Sequence, residues 1–249
     1  MSEERALHLL LARLEKLSPL DDADRAAILA LPHRVRALNR HDYIVREGSR
    51  AEHSCLLLEG YLGRHKIVAD GARQIVSVHM TGDMVNMQNS LLPQADHSVQ
   101  ALTDAVVALI PGQAIVDLAA ARPAVAIAMW LDTLIDGAIF REWIANVGRR
   151  DASARTAHLL CEFGVRQEEA GLGTRSRYDL PLTQSDLADA LGLTSVHVNR
   201  TLKRLEEAGL ISRKNRAVTI SSWNALREVG DFDPTYLYLR APIGEPETA

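Results

Sequence analysis

Cysteine and aromatic residues are scarce in this chain of 249 residues. The sequence holds two cysteines, Cys55 and Cys161, and its aromatic content is 4%. Because the cysteines lie far apart and form no CxxC pair, a zinc or iron–sulfur site made from the cysteines of one chain lacks its ligands. We expect two buried thiols in a reducing cytoplasm and neither a metal nor another cofactor, while a thiol switch at either cysteine stays open.

Catalytic signatures are also missing. The sequence contains no GxGxxG, Walker loop, HExxH or GxSxG motif. Its histidine, cysteine and acidic residues are scattered without the spacing of a metal site or a catalytic triad. The sequence therefore predicts a protein that is not an enzyme and has no catalytic residues.

Long apolar runs are absent as well. The N-terminus is charged from its third residue and has no signal-peptide core, and no run approaches the roughly 20 apolar residues that cross a membrane. We expect a soluble cytoplasmic protein without a membrane partner. The net charge of −4 neither supports nor excludes nucleic acid, because only a contacting face must be basic.

The first half of the chain carries the pattern of a small β-structure. Two helices are predicted first, over residues 4–17 and from Asp21 to about Leu31. Between about Val35 and Ile110, short apolar runs alternate with turn residues. Asp70-Gly71 between two runs is a strong hairpin signal, because a type I′ turn needs positive φ. Strands so regularly spaced predict a small antiparallel barrel or roll.

From Gly112 the pattern is helical. A short helix over Gln113–Ala121 precedes a long one over about Ala124–Val147, whose wide apolar stripe must be buried in its own domain or against a second subunit. The residues predicted to form the subunit contact are Ile127, Trp130, Leu131, Leu134, Ala138 and Ile144. A helix over Asp151–Val165 and a loop over Gln167–Tyr178 follow. We expect domains over residues 1–121 and 150–249, joined by a dimerisation helix over 122–149.

The segment from Leu182 to Ile220 is the most informative. Thr183 caps a first helix in a Thr-x-x-Asp pattern, Gly192 ends it, and Thr194 or Ser195 caps a second helix. Two helices joined by a tight turn with glycine form a helix-turn-helix. A two-stranded wing with a basic tip follows.

The second helix presents short polar side chains and an arginine on one face, as a reader of the DNA major groove requires. Arg200 is suited to hold guanine O6 and N7, and Lys203 and the wing to pair with phosphates. The alternative is a helix pair with a solvated charged face. The predicted DNA-binding residues are Thr183, Thr194, Ser195, Val196, His197, Asn199, Arg200, Lys203, Arg213, Lys214 and Arg216.

These motifs resemble the Crp/Fnr family of bacterial transcription regulators over nearly the whole chain. The stretch DLADALGLTSVHVNRTLKRLEEAGLI is close to the family's helix-turn-helix signature, and REGSRAEHSCLLLEGYLGRHK, the Asp70-Gly71 hairpin and Thr81-Gly82-Asp83 agree more loosely. The resemblance implies an α+β fold with an N-terminal antiparallel, cyclic-nucleotide-binding-like β-roll, a long dimerisation helix and a C-terminal winged helix-turn-helix. It also implies a homodimer on a palindromic site in double-stranded DNA, with RNA polymerase as a further partner.

The sensor half departs from the family members that bind cyclic AMP. Met87 falls where they have a glutamate for the ribose, and His97, followed by Ser98, falls where they have an arginine for the cyclic phosphate. With Asn86, these residues form the expected remnant of the nucleotide pocket. We expect no cyclic AMP binding and an unknown effector. The alternatives are a regulatory module responsive to a cyclic nucleotide or another small molecule, haem at His79 or His41, and control by expression alone.

The recognition helix departs from the family too. Val196 stands at the position that is commonly a glutamate paired with cytosine, and Ser195 stands where some members have arginine, while Arg200 is retained. A half-site guanine read by Arg200 is therefore the one base we carry over. The tail from Phe232 onward has two alternatives, packing on its own domain or pairing with a partner subunit.

Overall fold

The computed structural model describes residues 3–239, with side chains from residue 6. These residues form two compact units. Unit 1 comprises residues 3–64 and 78–137, and unit 2 comprises residues 65–77 and 138–239. The division into units runs through the long helix, between residues 137 and 138. The predicted domain boundaries at residues 121 and 149 stay a prediction.

Helices frame unit 1 at both ends of its sequence. They are α1 (Glu3–Glu15), α2 (Asp22–Leu29), α3 (Gly112–Ala121) and the first part of α4 (Pro123–Arg149). Helix α2 begins with a capping box, in which Asp21 accepts from the backbone of Asp24 and the Asp24 carboxylate accepts from the backbone of Asp21.

Eight strands lie between α2 and α3 in the sequence. They are β1 (Arg34–Leu38), β2 (Tyr43–Val45), β3 (His53–Glu59), β4 (Leu62–Ile67), β5 (Arg73–His79), β6 (Met84–Val85), β7 (Ser98–Ala101) and β8 (Ala105–Pro111). They make two four-stranded sheets, ordered β1-β8-β3-β6 and β2-β7-β4-β5. Leu57, Leu62, Val99 and Val107 belong to the buried core cluster of this β-structure. The predicted antiparallel roll and the α+β class are confirmed.

The predicted hairpin at Asp70-Gly71 forms, but its turn is not of type I′. Gly71 has a φ of 86°, whereas Asp70 is not among the residues with positive φ. The amide of Val68 donates to the carbonyl of Ala72, which closes a three-residue loop. A longer loop needs a left-handed residue at one position only, and glycine supplies it.

Unit 2 contains a winged helix-turn-helix. Its elements are α5 (Ala152–Glu169), β9 (Arg177–Asp179), α6 (Gln184–Leu191), α7 (Ser195–Glu207), β10 (Ile211–Lys214), β11 (Ala217–Ile220) and α8 (Trp223–Val229). The strands form one sheet in the order β10-β11-β9.

The loop predicted over Gln167–Tyr178 is wrong at both ends. Helix α5 continues to Glu169, and the amide of its buried Gln167 donates to the carbonyl of Asp179 at 2.7 Å. Tyr178 lies in β9, where its hydroxyl donates to the carbonyl of Leu160 at 2.6 Å. These contacts join distant parts of the chain, so the local polarity of the segment did not reveal them.

Helix α4 corrects the expectation that no apolar run is long enough to cross a membrane. Within residues 3–239, it is the one helix whose length and composition would suffice. Its Val125, Ala128, Ile139 and Trp143 are buried against other parts of the chain, and it carries a buried aspartate, Asp132. One side of the helix is therefore packed within the chain.

The described part of the C-terminal segment packs on unit 2. Phe232 is buried, and the hydroxyl of Tyr236 donates to the Glu162 carboxylate at 2.7 Å. The same carboxylate accepts from Trp143 at 2.9 Å, so the segment is tied to α4 and α5 together. Of the two alternatives for this tail, residues 232–239 therefore follow the first. Residues 240–249 lie outside the described residues.

Candidate nucleic-acid interface and sensor interior

The first helix of the pair is fixed at both ends by local chemistry. The Thr183 hydroxyl accepts from the amide of Asp186 at 3.1 Å, and the Asp186 carboxylate accepts from the amide of Thr183 at 3.0 Å. Gly192 ends the helix with a φ of 62°. A Cβ on Gly192 would lie 3.1 Å from the Val147 side chain, so the turn is also tightly packed. This arrangement sets where the second helix starts.

Helix α7 is anchored by its apolar side. Thr194 caps it by accepting from the amide of His197 at 3.2 Å, which decides between the two predicted caps. Val198, Leu202 and Leu205 are buried. The opposite face therefore points away from the core, and an open depression is lined there by Gln184, Ser195, Val196, Asn199, Arg200 and Lys203.

The exposed face of α7 combines cations, amides and one apolar group. Arg200 and Lys203 are exposed and have no salt-bridge partner among residues 3–239, so their charges are available to an anion. Asn199 is half-buried, and Val196 is 69% exposed. Periodicity predicted that these residues lie on the side of α7 opposite its buried positions, which recur at helical spacing. Their contact with DNA stays a prediction.

The wing is attached to α7 by an ion pair that the sequence did not suggest. The Arg213 guanidinium donates to both Glu206 oxygens, at 3.0 and 2.8 Å, and its hydrogen bonds hold the pKa of Glu206 below the usual value. Lys214 and Arg216 are exposed beside Asn215, which has a φ of 57° at the tip. Arg213 therefore braces the wing, while Lys214 and Arg216 carry its available charge.

Helix α4 presents apolar side chains that its own chain leaves uncovered. Trp130 is 66% exposed and Ile144 is 72% exposed, and Ile127 and Leu134 are exposed between and beside them. Their spacing places them along one side of the helix. Leu131 is half-buried at its edge. These residues are five of the six predicted for a subunit contact.

Ala138, the sixth predicted residue, lies four positions after Leu134 on the same side of the helix, but it is only 5% exposed within its own chain. Ile135 and Ile139 are buried on the neighbouring side. The apolar stripe read from the sequence thus contains two sides of α4. One side is packed within the chain, and only the other is open.

The predicted pocket residues of the sensor form some hydrogen bonds within the protein, but Asn86 Oδ1 and His97 Nε2 are buried with no hydrogen-bond partner among the described residues. Asn86 is buried and donates to the carbonyl of His53 at 3.2 Å, and the Ser98 hydroxyl accepts from the amide of Glu47 at 3.0 Å. Met87 is half-buried at the start of the 3₁₀ turn Met87–Ser90. None of these contacts requires a ligand.

His97 is buried within reach of the charge of Arg64. Its Nδ1 lies 2.7 Å from a carboxylate oxygen of Asp96. Burial, reinforced by the charge of Arg64, lowers the pKa of His97 below the usual value. The neutral imidazole is therefore the favoured form of His97.

Two ion-pair clusters in unit 1 were not predicted from the sequence. The buried Arg64 guanidinium on β4 donates to Asp136 on α4 at 2.8 Å. Arg13 on α1 donates to Asp132 on α4 at 2.5 Å and to Asp83 at 2.8 Å. The partners are 70 to 119 positions apart, so no local pattern signals them. They fill the space between α4 and the β-structure with paired charge.

The remaining sensor candidates lie in unreactive surroundings. Cys55 and Cys161 are buried, and burial raises the pKa of both thiols, that of Cys161 to about 12. Low thiolate content argues against a thiol switch at either residue. His79 is buried 3.8 Å from Asp83, and His41 lies in an exposed turn. Within residues 3–239, no three histidine, cysteine or acidic side chains are grouped as metal ligands.

Comparison with protein-family models identifies two domains. A model described as a cyclic nucleotide-binding domain matches residues 35–122, and one described as a Crp-like helix-turn-helix domain matches residues 154–229. The two matches fall on the β-structure of unit 1 and on the helix-turn-helix of unit 2.

Known proteins similar to this chain are regulators. A probable transcriptional activator of Rhizobium leguminosarum bv. viciae is 28% identical over 190 residues, which cover 73% of this chain and 78% of that protein. An anaerobic regulatory protein of Haemophilus influenzae is 26% identical over 83% of this chain and 80% of its own length. The structure of FixK2 from Bradyrhizobium japonicum superimposes with a TM-score of 0.74 at 24% identity, covering 80% of this chain and 98% of that one.

Proposed function

Because the chain is a Crp/Fnr-type transcriptional regulator with a cyclic nucleotide-binding domain and a Crp-like helix-turn-helix domain, we propose that it acts as a homodimer. The dimer binds a two-fold-symmetric DNA site and inserts α7 into the major groove of each half-site. The observation that carries this proposal is the exposed face of α7, where Arg200 and Lys203 form no salt bridge with any residue in the described part of the chain. A helix of this kind contacts base edges with its N-terminal residues.

The residues of α7 and the wing divide into two roles. Ser195, Val196, His197, Asn199 and Arg200 lie in the first two turns and face bases, whereas Lys203, Lys214 and Arg216 contact phosphates. Thr183 and Thr194, at the starts of the two helices, lie where backbone amides are available to phosphates. Arg213 contributes by holding the wing through Glu206.

The experiment that tests this division compares two variants on a panel of related DNA sites. Arg200→Ala should lose about 1–3 kcal/mol of discrimination at one G·C pair of each half-site. Lys203→Ala, the matched control on the same face, should weaken binding to every sequence alike and reduce the salt dependence by about one phosphate contact. Uniform loss with Arg200→Ala would make Arg200 a phosphate contact and contradict its role as a base reader.

We further propose that the sensor does not bind cyclic AMP. Met87 cannot accept a ribose hydroxyl, the buried His97 favours its neutral form, and the Arg64–Asp136 pair lies between α4 and the β-structure. The match to the cyclic nucleotide-binding domain favours the second candidate function, a module responsive to a cyclic nucleotide or another small molecule. Titration calorimetry with cyclic AMP and cyclic GMP separates the two. We expect no heat of binding, and tight binding of either nucleotide would establish the second candidate.

The names of the relatives suggest the setting in which the protein works. One is a probable transcriptional activator and one is an anaerobic regulatory protein. We propose that this chain also regulates transcription in the cytoplasm, through contact with RNA polymerase and without catalysis of its own. Transcription in vitro from a promoter that carries the bound site tests this, because a change in transcript level that Arg200→Ala abolishes is expected.

A further inference from the structure

Val196 is an unusual residue on the exposed face of α7. It is 69% exposed, whereas the other large apolar side chains of this helix, Val198, Leu202 and Leu205, are buried. It is the second residue of the helix, and it lines the same depression as Asn199 and Arg200. A single exposed valine is ordinary on a protein surface. This one is surrounded by the side chains proposed to contact bases.

An apolar side chain can recognise only one group in the major groove. The edges of guanine, cytosine and adenine present hydrogen-bond donors and acceptors there, and thymine adds its C5 methyl group. Valine has no donor or acceptor, so hydrogen bonding to a base edge is closed to it. A thymine methyl is the group that its two methyl groups fit.

The helix geometry limits where that thymine lies. Val196 and Arg200 are four residues apart, which is about 6 Å along a helix axis. Base pairs follow one another every 3.4 Å. A base contacted by Val196 is therefore within about two base pairs of the guanine contacted by Arg200.

We propose that Val196 reads the methyl group of a thymine in each half-site, within about two base pairs of the guanine read by Arg200. This inference rests on the proposed function and specifies the base that the α7 of this chain selects. It also explains how a helix with valine at this position keeps sequence preference there without a hydrogen bond.

The test removes only the methyl group. The full-length protein first selects its site from random DNA, and each conserved thymine near the guanine is then replaced by uracil. At one position, we expect the affinity of the unmodified protein to fall by roughly fourfold, which corresponds to one buried methyl group. Val196→Ser should bind the thymine and uracil sites equally. Uracil at a thymine outside the half-sites is the DNA control.

A second arm restores the methyl group on another base. At the position identified with uracil, 5-methylcytosine paired with guanine should bind more tightly than cytosine paired with guanine, and Val196→Ser should lose that difference. Equal affinity of the unmodified protein for thymine and uracil at every conserved position, with selective binding otherwise intact, would overturn this proposal alone. Failure to select any sequence would overturn the proposed function and this inference with it.

Discussion

Arg13 holds together three parts of unit 1. It contacts Asp132 on α4 and Asp83 in the turn before β6, and both carboxylates are buried. Burial raises the pKa of Asp132 despite the attraction of Arg13. The carboxylate is therefore in surroundings that tolerate its charge only because a cation is present.

We expect Arg13→Gln to lower the free energy of unfolding by about 3 kcal/mol, because it leaves the buried carboxylates of Asp132 and Asp83 without their cation. The measurement is equilibrium unfolding in urea. Arg25→Gln is the control, because Arg25 forms a solvent-exposed pair with Glu15 and its loss should change the midpoint little. Equal effects of the two substitutions would contradict the role of Arg13 as the cation that compensates the two buried carboxylates.

Two buried histidines make the stability of the fold depend on pH. The pKa of His97 in the folded state is lowered from its ordinary value of 6.5, and the pKa of the buried His158 is lowered too. Above pH 6.5 both the folded and unfolded states hold these residues neutral. Below pH 6.5 the unfolded chain binds protons that the folded chain does not. The free energy of unfolding therefore decreases as the pH is lowered.

Thermal unfolding between pH 7.5 and 5.5 tests this dependence. The melting temperature should fall progressively below pH 6.5, and His97→Gln should show a smaller fall than the unmodified protein. His8→Gln, which changes an exposed histidine of α1, is the control and should retain the full slope. A melting temperature of His97→Gln that falls as steeply as that of the unmodified protein would remove His97 from this explanation.

The roles of some residues could be predicted from the sequence, and the roles of others could not. Thr183, Gly192 and Arg200 could be assigned because caps, turns and helix faces depend on neighbours within a few positions. Arg64 and Arg13 could not, because a surface arginine and one that enters a buried cluster look alike until the fold brings distant carboxylates to them. Arg213 belongs with these, since only the structure places it against Glu206.

At the scale of elements, the turn between α6 and α7 combines a backbone requirement with a packing requirement. Gly192 has a φ of 62°, and a Cβ there would approach Val147 at 3.1 Å. Gly209, which follows α7, has a φ of 69° but nothing within 4 Å of a Cβ. Gly209 therefore has the backbone requirement alone, whereas Gly192 has both the backbone and the packing requirement.

Gly209→Ala should cost about 1 kcal/mol of stability, from the left-handed backbone alone. Gly192→Ala should cost more, because Val147 must also move, and should weaken DNA binding by shifting the start of α7. Chemical denaturation and DNA titration of both variants check this. An equal loss of stability in the two variants would show that packing at Gly192 contributes nothing.

Elements with strong periodicity or caps were predicted well, and short ones were not. Helices α6 and α7 and the wing have their signals within their own residues. Strand β9 has only three residues and depends on pairing with β11, and its segment looked like a loop. The helical spacing indicated an open side of α4, and its role as a subunit contact stays a prediction. The sequence did not show that Ala138, on that side, is buried within its own chain.

In the molecule as a whole, the open side of α4 is the surface on which the proposed dimer depends. Leu134→Glu should convert the protein to a monomer, because it places a charge in the middle of the apolar contact. Sedimentation velocity measures the change, and affinity for a two-fold-symmetric site should fall with it. Leu172→Glu changes another exposed leucine, in the segment after α5, and should remain dimeric. A Leu134→Glu variant that sediments as a dimer would move the subunit contact elsewhere.

We propose that α7 of a homodimer reads a symmetric DNA site. The decisive experiment is selection of bound sequences from random double-stranded DNA by the full-length protein. We predict enrichment of two inverted half-sites, centred about one helical turn of DNA apart and each containing a guanine that Arg200→Ala no longer selects. Enrichment of a site without two-fold symmetry, or no enrichment at all, would show that the protein does not bind DNA in this way.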